Sequence, residues 1–160
     1  MNYWLMKTEP DECSIDDIAT APKQTVIWDG VRNYQARNFM RAMQLGDQVF
    51  IYHSSCRQVG IAGIVEVSRT AFADPSQFDA TSPYVDNAYV DNNTASATTA
   101  EAARWSAVEV TYLQHLTRLL PLAELKALPA LSANPLVRRG QRLSVMPFTD
   151  AEWQAVLALQ

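Results

Sequence analysis

The stretch WDGVRNYQARNFMR, residues 28–41, brings together an aromatic ring, a glycine turn, a cation and the start of a helix. Gly30 predicts a turn, because glycine adopts backbone angles that other residues resist. Asn33 is a favourable N-cap, since its side-chain oxygen can accept from the free N–H groups of a first helical turn. Apolar residues then recur at the spacing of one helix face, at Ala36, Phe39, Met40 and Met43. We therefore predict a helix that begins beside Arg32 and behind Trp28.

This helix start has a functional and a structural interpretation. In the functional one, the free N–H groups of the helix and Arg32 bind an anion, while Trp28 stacks on a flat ring. In the structural one, Trp28 lies half in the core and Arg32 is a solvated surface cation. The stretch alone leaves both interpretations open.

Short apolar or alternating runs predict strands along the rest of the chain. They cover residues 3–6, 48–52, 59–67, 105–112 and 143–148. Gly60 and Gly63 predict a bend or a close backbone approach within one of them. Helices are expected after two capping-box patterns, Ser14 with Asp17 and Thr149 with Glu152. We predict a single α+β domain over residues 1–160, a small mixed β-barrel flanked by short helices.

Residues 70–103 differ from the rest of the chain. Turn-forming pairs such as Asp74-Pro75 and Ser82-Pro83 predict a long loop over the sheet. Residues 92–103 are small and polar, which is typical of a mobile segment. The other three tryptophans differ from Trp28, because the sequence around each of them is mostly apolar. We expect them in the core and not at a binding site: Trp4, Trp105 and Trp153.

Charge limits the kind of partner that the protein can bind. The net charge of −4 argues against a broad nucleic-acid-binding surface, which normally carries a basic excess. Residues 32–57 nevertheless hold four arginines against one aspartate, and residues 118–142 hold five basic residues against one glutamate. These segments form either a local basic face on an acidic body or separate solvated patches.

Several classes of protein are not indicated by the sequence. No apolar run approaches the roughly 20 residues of a membrane span, and the first residues do not resemble a secretory signal. Cys13 and Cys56 lack the spacing of a zinc site or a disulfide framework. We find no pattern of a Ser/His/Asp triad or a phosphate-binding loop. We therefore expect a cytoplasmic protein without a metal, a cofactor or a membrane partner.

Five segments in order carry a family resemblance. They are MNYWLMKTEPDECSIDD (1–17), WDGVRNYQARNFMRAMQLGDQVFIYHS (28–54), VGIAGIVEV (59–67), DPSQFDATSPYVD (74–86) and LSVMPFTDAEW (143–153). Together they resemble the EVE domain, which bacterial proteins and the thymocyte nuclear protein family share within the PUA-like superfamily. The resemblance implies a PUA-like barrel and a pocket for a modified base, such as a modified cytosine in DNA or a modified base in RNA.

The resemblance also implies which residues form this pocket. The base-binding candidates are Trp28, Val31, Arg32, Asn33, Tyr52, His53, Ser54, Ser82, Tyr84, Ser144 and Pro147, with Lys7 and Glu9 at the rim. Trp28 can stack on an extruded base. Asn33 and Ser144 can contact a base edge, and Arg32 can hold phosphate. Asn33 has the alternative role of an N-cap.

Three functions are compatible with these residues. The first is a non-enzymatic, monomeric reader of a modified base in DNA or RNA. The second is a small hydrolase that acts on a modified nucleoside through Lys7, Thr8 and Glu9. The third is a protein–protein adaptor whose pocket is unused. The acidic net charge favours recognition of a single base over binding in a long groove, so we rank the reader first.

Overall fold

One six-stranded sheet forms the centre of the fold. The computed structural model describes residues 1–86 and 103–160 of the chain. The strands are β1 (Tyr3–Thr8), β2 (Thr25–Trp28), β3 (Gln48–His53), β4 (Gly60–Ala73), β5 (Ser106–Pro121) and β6 (Val145–Phe148). Their order is β2-β5-β4-β3-β1-β6, so the sheet ends at β2 and β6. The α+β class is confirmed, whereas closure of the sheet into a barrel is not.

The sheet is mixed, as the sequence predicted. β1 runs parallel to β3, and the other neighbouring strands are antiparallel. The two strands predicted within residues 48–67 are neighbours in an antiparallel hairpin, with Phe50 opposite Ile64. The register of this pair shifts after Ile51, which lies opposite Gly63. The glycine-rich strand therefore contains an irregularity where a bend was expected.

β4 and β5 are longer than the apolar patterns predicted. The patterns covered residues 59–67 and 105–112, but the strands continue to Ala73 and Pro121. Residues 68–70 of β4 are exposed, so the apolar alternation stops there although the ladder continues. Alternation of apolar and polar residues indicates a strand only where one face of that strand is buried.

Short helices surround the sheet. They are α1 (Pro10–Cys13), α2 (Ile15–Thr20), α3 (Tyr34–Ala42), α4 (Leu122–Lys126) and α5 (Asp150–Leu157), with short 3₁₀ turns at Pro22–Gln24, Pro75–Phe78, Pro129–Leu131 and Pro135–Val137. Both capping boxes are confirmed, at the starts of α2 and α5. α3 begins where predicted, because the Asn33 side-chain oxygen accepts from the Ala36 N–H at 2.9 Å.

Aromatic side chains fill much of the core. Phe50 on β3 stacks on Trp153 of α5 with 3.7 Å between ring centroids. Trp4, Trp105 and Trp153 are all buried, as expected. The Trp4 indole N–H donates to Asp47 Oδ2 at 2.9 Å. This buried carboxylate therefore ties β1 to the turn that precedes β3.

Helix α2 lies against the glycine-rich part of β4. A Cβ atom on Gly63 would lie 2.5 Å from Ile15 Cγ1, which is closer than real Cβ contacts allow. The close approach predicted from the glycines is therefore confirmed. His53 also holds this helix, because its Nε2 accepts from the Ile15 N–H at 3.1 Å. Glycine at position 63 and histidine at position 53 together set where α2 begins.

One expectation falls mostly outside the described residues. Most of the small polar segment 92–103 lies there, so its predicted mobility stays a prediction. Within residues 1–86 and 103–160, no helix has the length and apolar character needed to cross a membrane.

Candidate functional site

A cleft of about 650 Å³ lies where β1, β2 and β3 end and where β6 begins. The segment 27–33, which joins β2 to α3, forms one part of its lining. Helix α1 and Tyr84 complete the lining. A volume of this size is in the range of small-molecule sites, roughly 300–1,000 Å³.

Most of the residues expected from the sequence line this cleft. They are Lys7, Glu9, Trp28, Val31, Arg32, Asn33, Ser54, Tyr84 and Ser144. They come from five separate segments of the chain, and the fold brings them together. Their proximity is a structural finding, and their role in binding a base stays a prediction.

Four expected residues do not line the cleft, and each has another environment. Tyr52 is buried in the core, and burial raises the pKa of its hydroxyl to about 12. His53 accepts from the α2 backbone, and burial lowers the pKa of its imidazole. The Ser82 hydroxyl accepts from the Tyr84 N–H at 3.1 Å, within a turn. Pro147 is exposed on the edge strand β6, opposite Trp4. These four residues therefore lie outside the cleft lining, and a role for them in binding a base stays an untested prediction.

Other lining residues were not expected from the sequence. They are Glu12, Cys13, Ile27, Asp29, Gly30 and Arg142, whereas Thr8, which also lines the cleft, was named only for the alternative hydrolase. Asp29 and Gly30 could have been found, because they adjoin Trp28 in a segment already proposed for the site. Glu12 and Cys13 gave no such signal, since their place depends on how α1 folds back over the end of β1.

The buried carboxylate of Asp74 organises the cleft wall. Its Oδ2 accepts from the Gly30 N–H and from Arg32 Nη1, each at 2.9 Å. Its Oδ1 accepts from the Ser76 N–H at 2.7 Å and from the Ser76 hydroxyl at 2.5 Å. A buried carboxylate is stable only when its oxygens are paired in this way. Asp74 thereby fixes the segment 28–33 against the loop that follows β4.

Arg32 is committed to the same network. A guanidinium has five N–H donors, and here they donate to Asp74, the Ser76 hydroxyl and the carbonyl oxygens of Val31 and Tyr84. The shortest of these bonds, from Nη2 to the Tyr84 oxygen, is 2.6 Å. No N–H group is left over for a phosphate. The phosphate contact expected of Arg32 is therefore replaced by a structural role.

Tyr84 forms a wall of the cleft that packs on Gly30. Gly30 has a φ of +77°, and a Cβ atom there would lie 2.8 Å from the Tyr84 ring. Glycine is thus required twice at this position, for its backbone conformation and for its lack of a side chain. The Tyr84 hydroxyl donates to the Glu12 carboxylate, so the loop also meets α1.

Asn33 keeps part of its hydrogen-bonding capacity for a ligand, and Trp28 keeps its single donor. The Asn33 oxygen is used as the N-cap of α3, so its Nδ2 is the group that remains available. Trp28 is buried, with only 7% of its surface exposed, and it also lines the cleft. Its indole N–H has no acceptor among the described residues. Trp28 is therefore a core residue that also borders the cleft, and its stacking on a ligand ring stays a prediction.

Charged groups in the cleft are poorly solvated. Burial lowers the pKa of the Lys7 ammonium below its usual 10.5. Burial also raises the pKa of Asp29, and the neighbouring Asp74 adds to this shift. The pKa of Glu12 is raised by burial first, and then by Glu9 and Asp29. Carboxylates therefore crowd one side of the cleft, and no carboxylate in the described part of the chain forms an ion pair with Lys7.

Nucleophile and metal chemistry have little support here. Burial raises the pKa of the Cys13 thiol to about 11, with smaller contributions from Asp17 and Glu12, so the thiol is protonated at neutral pH. A protonated thiol is a weak nucleophile. Among residues 1–86 and 103–160, no cluster of three or more His, Cys, Asp or Glu residues is arranged to hold a metal ion.

Comparison with known proteins identifies the family. The model of the EVE domain matches residues 2–159. Thymocyte nuclear protein 1 from Homo sapiens is 39% identical over 175 residues, which covers 99% of this chain and 74% of the relative. The chain belongs to the EVE domain family.

Two solved structures are similar over nearly the whole chain. A protein from Pseudomonas putida has 48% identity and a TM-score of 0.86, and the match covers 98% of each chain. The human THYN1 protein, solved in complex with DNA that contains 5-methylcytosine, has 40% identity and a TM-score of 0.84. That match covers 99% of this chain and 97% of the other.

Proposed function

We propose that this protein is a non-enzymatic reader of a modified base, and that a modified cytosine in DNA leaves the base stack to enter the cleft. The observation that carries the proposal is the cleft itself, where the buried Trp28 indole lies near the Asn33 Nδ2 and the Ser144 hydroxyl, neither of which has a hydrogen-bond partner among the described residues. The similarity to human THYN1, solved with 5-methylcytosine DNA, supports the same chemistry for the ligand. RNA with a modified base is the alternative partner.

The size of the cleft supports recognition of one base. A duplex does not fit into about 650 Å³, whereas a single extruded nucleoside does. Extruding a base requires unstacking, which costs a few kcal/mol and must be offset by contacts in the pocket. Trp28 and Val31 offer apolar contact for the ring, and Ser144 and Asn33 offer polar groups for its edge.

The charge of the cleft supports entry of the base rather than the phosphate. Glu9, Glu12 and Asp29 would repel a phosphate at close range. Arg32 does not compensate for them, because its donors are committed inside the protein. The sugar–phosphate backbone is therefore expected to stay outside the cleft. Arg142 lines the cleft, is itself exposed and is a candidate phosphate contact there.

Binding measurements on matched oligonucleotides test the proposal. The panel carries cytosine, 5-methylcytosine or 5-hydroxymethylcytosine at one position, in DNA and in RNA. We expect preferential binding of a modified cytosine in DNA. Ser144→Ala and Trp28→Phe should each weaken it, by roughly 0.5–1.5 kcal/mol for a lost hydrogen bond. Ser132→Ala, an exposed serine outside the cleft, is the matched control. Unchanged affinity in both cleft variants, with melting temperatures like wild type, would contradict the placement of the site.

The hydrolase is the second candidate, and one observation favours it. Lys7, Thr8 and Glu9 all line the cleft, and burial lowers the pKa of Lys7 towards that of a usable base. The Thr8 hydroxyl, however, donates to the Cys13 carbonyl oxygen at 2.9 Å, which engages the supposed nucleophile. Incubation with modified nucleosides, followed by mass spectrometry, separates the two functions. Steady turnover that disappears in Lys7→Ala would favour the hydrolase over the reader.

A further inference from the structure

We propose that Asp29 selects bases that carry an exocyclic amino group, so that the cleft accepts 5-methylcytosine and rejects thymine. This inference rests on the proposed function, since it assumes that a base enters the cleft. It adds a residue that determines which base is accepted, and a chemical reason for the choice.

Asp29 and Glu9 are the two cleft carboxylates that no described residue engages, and Asp29 is the one that lies beside Trp28 on the wall opposite α1 and β1. Among the described residues, its side chain forms no ion pair and accepts no hydrogen bond from another residue. Glu12, by contrast, accepts from the Tyr84 hydroxyl. Asp74, which lies behind the wall, has both oxygens occupied. A ligand that needs an acceptor in this part of the cleft therefore meets Asp29 first.

The backbone on both sides of Asp29 is anchored. Trp28 is the last residue of β2 and pairs with Val108 of β5. The Gly30 N–H donates to the buried Asp74 at 2.9 Å, and the Tyr84 ring packs so closely on Gly30 that no Cβ atom would fit between them. A side chain between two fixed residues has little freedom to move away from a mismatched ligand. Selection by a hydrogen bond requires this kind of preorganised group.

The environment of Asp29 makes its hydrogen bonds discriminating. The residue is exposed, so a ligand can reach it, yet surrounding atoms are close enough that burial raises its pKa. Both observations are expected for a group on the wall of a concave cleft. Hydrogen bonds in such poorly solvated places are stronger, and unpaired or repelling groups there are more unfavourable, than in open water.

The chemistry of the two bases then follows. 5-Methylcytosine and thymine both carry the methyl group at C5, but the first has an amino donor at C4 where the second has a carbonyl oxygen. A carboxylate accepts from the amino group of cytosine. Against thymine it would face another acceptor, with no hydrogen between the two oxygens. Asp29 therefore distinguishes 5-methylcytosine from the product of its deamination.

The test compares two oligonucleotides that differ only at this base. Binding is measured for wild type, Asp29→Asn and Asp11→Asn with one 5-methylcytosine or one thymine in the same DNA sequence. Asp11→Asn removes an exposed acid of α1 that does not line the cleft, so it controls for net charge. Asparagine can donate to the thymine carbonyl as well as accept, so it removes the basis for selection while keeping the shape.

We expect wild type and Asp11→Asn to prefer 5-methylcytosine by about tenfold or more, and Asp29→Asn to lose most of this preference. Binding that persists with an unchanged preference in Asp29→Asn would overturn the assignment of Asp29 alone. Equal binding of the two oligonucleotides by the wild-type protein would also overturn the proposed selection, whatever the variants show. A wild-type protein that binds no modified oligonucleotide at all would contradict the proposed function and the inference with it.

Discussion

Individual charged residues in this protein differ in whether the fold already supplies a partner. Arg32 and Asp74 pair with each other at 2.9 Å and are surrounded by further hydrogen bonds. Lys7 and Asp29 line the same cleft without an ion pair among the described residues. The first pair serves the structure, and the second leaves charge available for a ligand. The sequence shows the same residue types in both cases, so only the geometry separates them.

Replacement of Arg32 tests its structural role. Arg32→Ala would leave the fully buried Asp74 without its cation, so we expect a loss of about 3 kcal/mol in the free energy of unfolding. Arg57→Ala, an exposed arginine with no recorded partner in the described part of the chain, should change stability by less than about 0.5 kcal/mol. Chemical denaturation measures both. If Arg32→Ala has near-normal stability and its DNA binding depends less on salt, the result would contradict the structural role. It would instead support the original prediction that Arg32 contacts a phosphate.

Replacement of Lys7 tests the desolvation of the cleft. Because burial lowers the pKa of Lys7 in the folded state, folding disfavours its charge at neutral pH. Lys7→Met should therefore be more stable than wild type at pH 7 while binding the modified oligonucleotide more weakly. The difference in stability should shrink as the pH rises towards 10.5, where wild-type Lys7 loses its proton in both states.

Thermal melting across this pH range measures the effect of Lys7. Lys126→Met, on the exposed face of α4, is the control for the loss of one positive charge. A Lys7→Met variant that is less stable than wild type at pH 7 would indicate a stabilising partner for the ammonium and would contradict this interpretation.

At the scale of secondary structure, local chemistry predicted where elements begin better than where they end. The caps at Ser14, Asn33 and Thr149 start helices in the structure, because each satisfies N–H groups within its own first turn. The far ends of β4 and β5 were missed. Their pairing continues through exposed residues, and what holds them is the neighbouring strand, which is distant in sequence. Closure of the sheet into a barrel also depends on contacts between strands that are distant in sequence, and the observed strand order does not confirm the predicted closure.

The contact between α2 and β4 gives a prediction at this scale. In Gly63→Ala the new methyl group would meet Ile15 Cγ1 at 2.5 Å and the Gln114 carbonyl oxygen at 2.8 Å. We expect a loss of about 1–3 kcal/mol in stability, because neither the helix nor the strand can move freely. Ile15→Ala should reduce the additional effect of Gly63→Ala, since it removes one of the two clashing groups. Additive losses in the double variant would show that the helix does not press on this glycine.

For the whole molecule, the candidate site depends on segments that meet only in the folded state. Trp28 was predictable because it lies in a stretch with recognisable turn and cap signals, whereas Val31 and Asn33 were expected at the pocket from the family resemblance. Ser144 and Lys7 were expected from the family resemblance and proved to line the same cleft. Glu12 and Cys13 were not predicted, because nothing near them in the sequence indicates that α1 covers the cleft. Four expected residues, including His53, lie outside the cleft lining. The family resemblance alone could not distinguish residues that support the fold from residues that line the cleft.

The charge of the whole molecule predicts weak dependence of binding on salt. Because the net charge is −4, and because Arg32 is engaged internally and acids line the cleft, we expect DNA to contact only a few of the cations. We expect about two or three phosphate contacts, and therefore a slope of log affinity against log salt near −2 to −3. Titrations between about 50 and 200 mM salt measure it. A slope of about −6 or steeper would instead indicate an extended basic groove and would contradict recognition centred on one base.

The most direct test of base recognition in this cleft is a structure of the protein with a DNA oligonucleotide that carries one 5-methylcytosine. The predicted result is a modified cytosine out of the stack and inside the cleft, with its ring against Trp28 and Val31 and its amino group at Asp29. Phosphates should lie outside the cleft, away from Glu9 and Glu12. A complex in which the methylated base stays stacked in the duplex, or in which DNA binds another face while the cleft holds no base, would contradict the account.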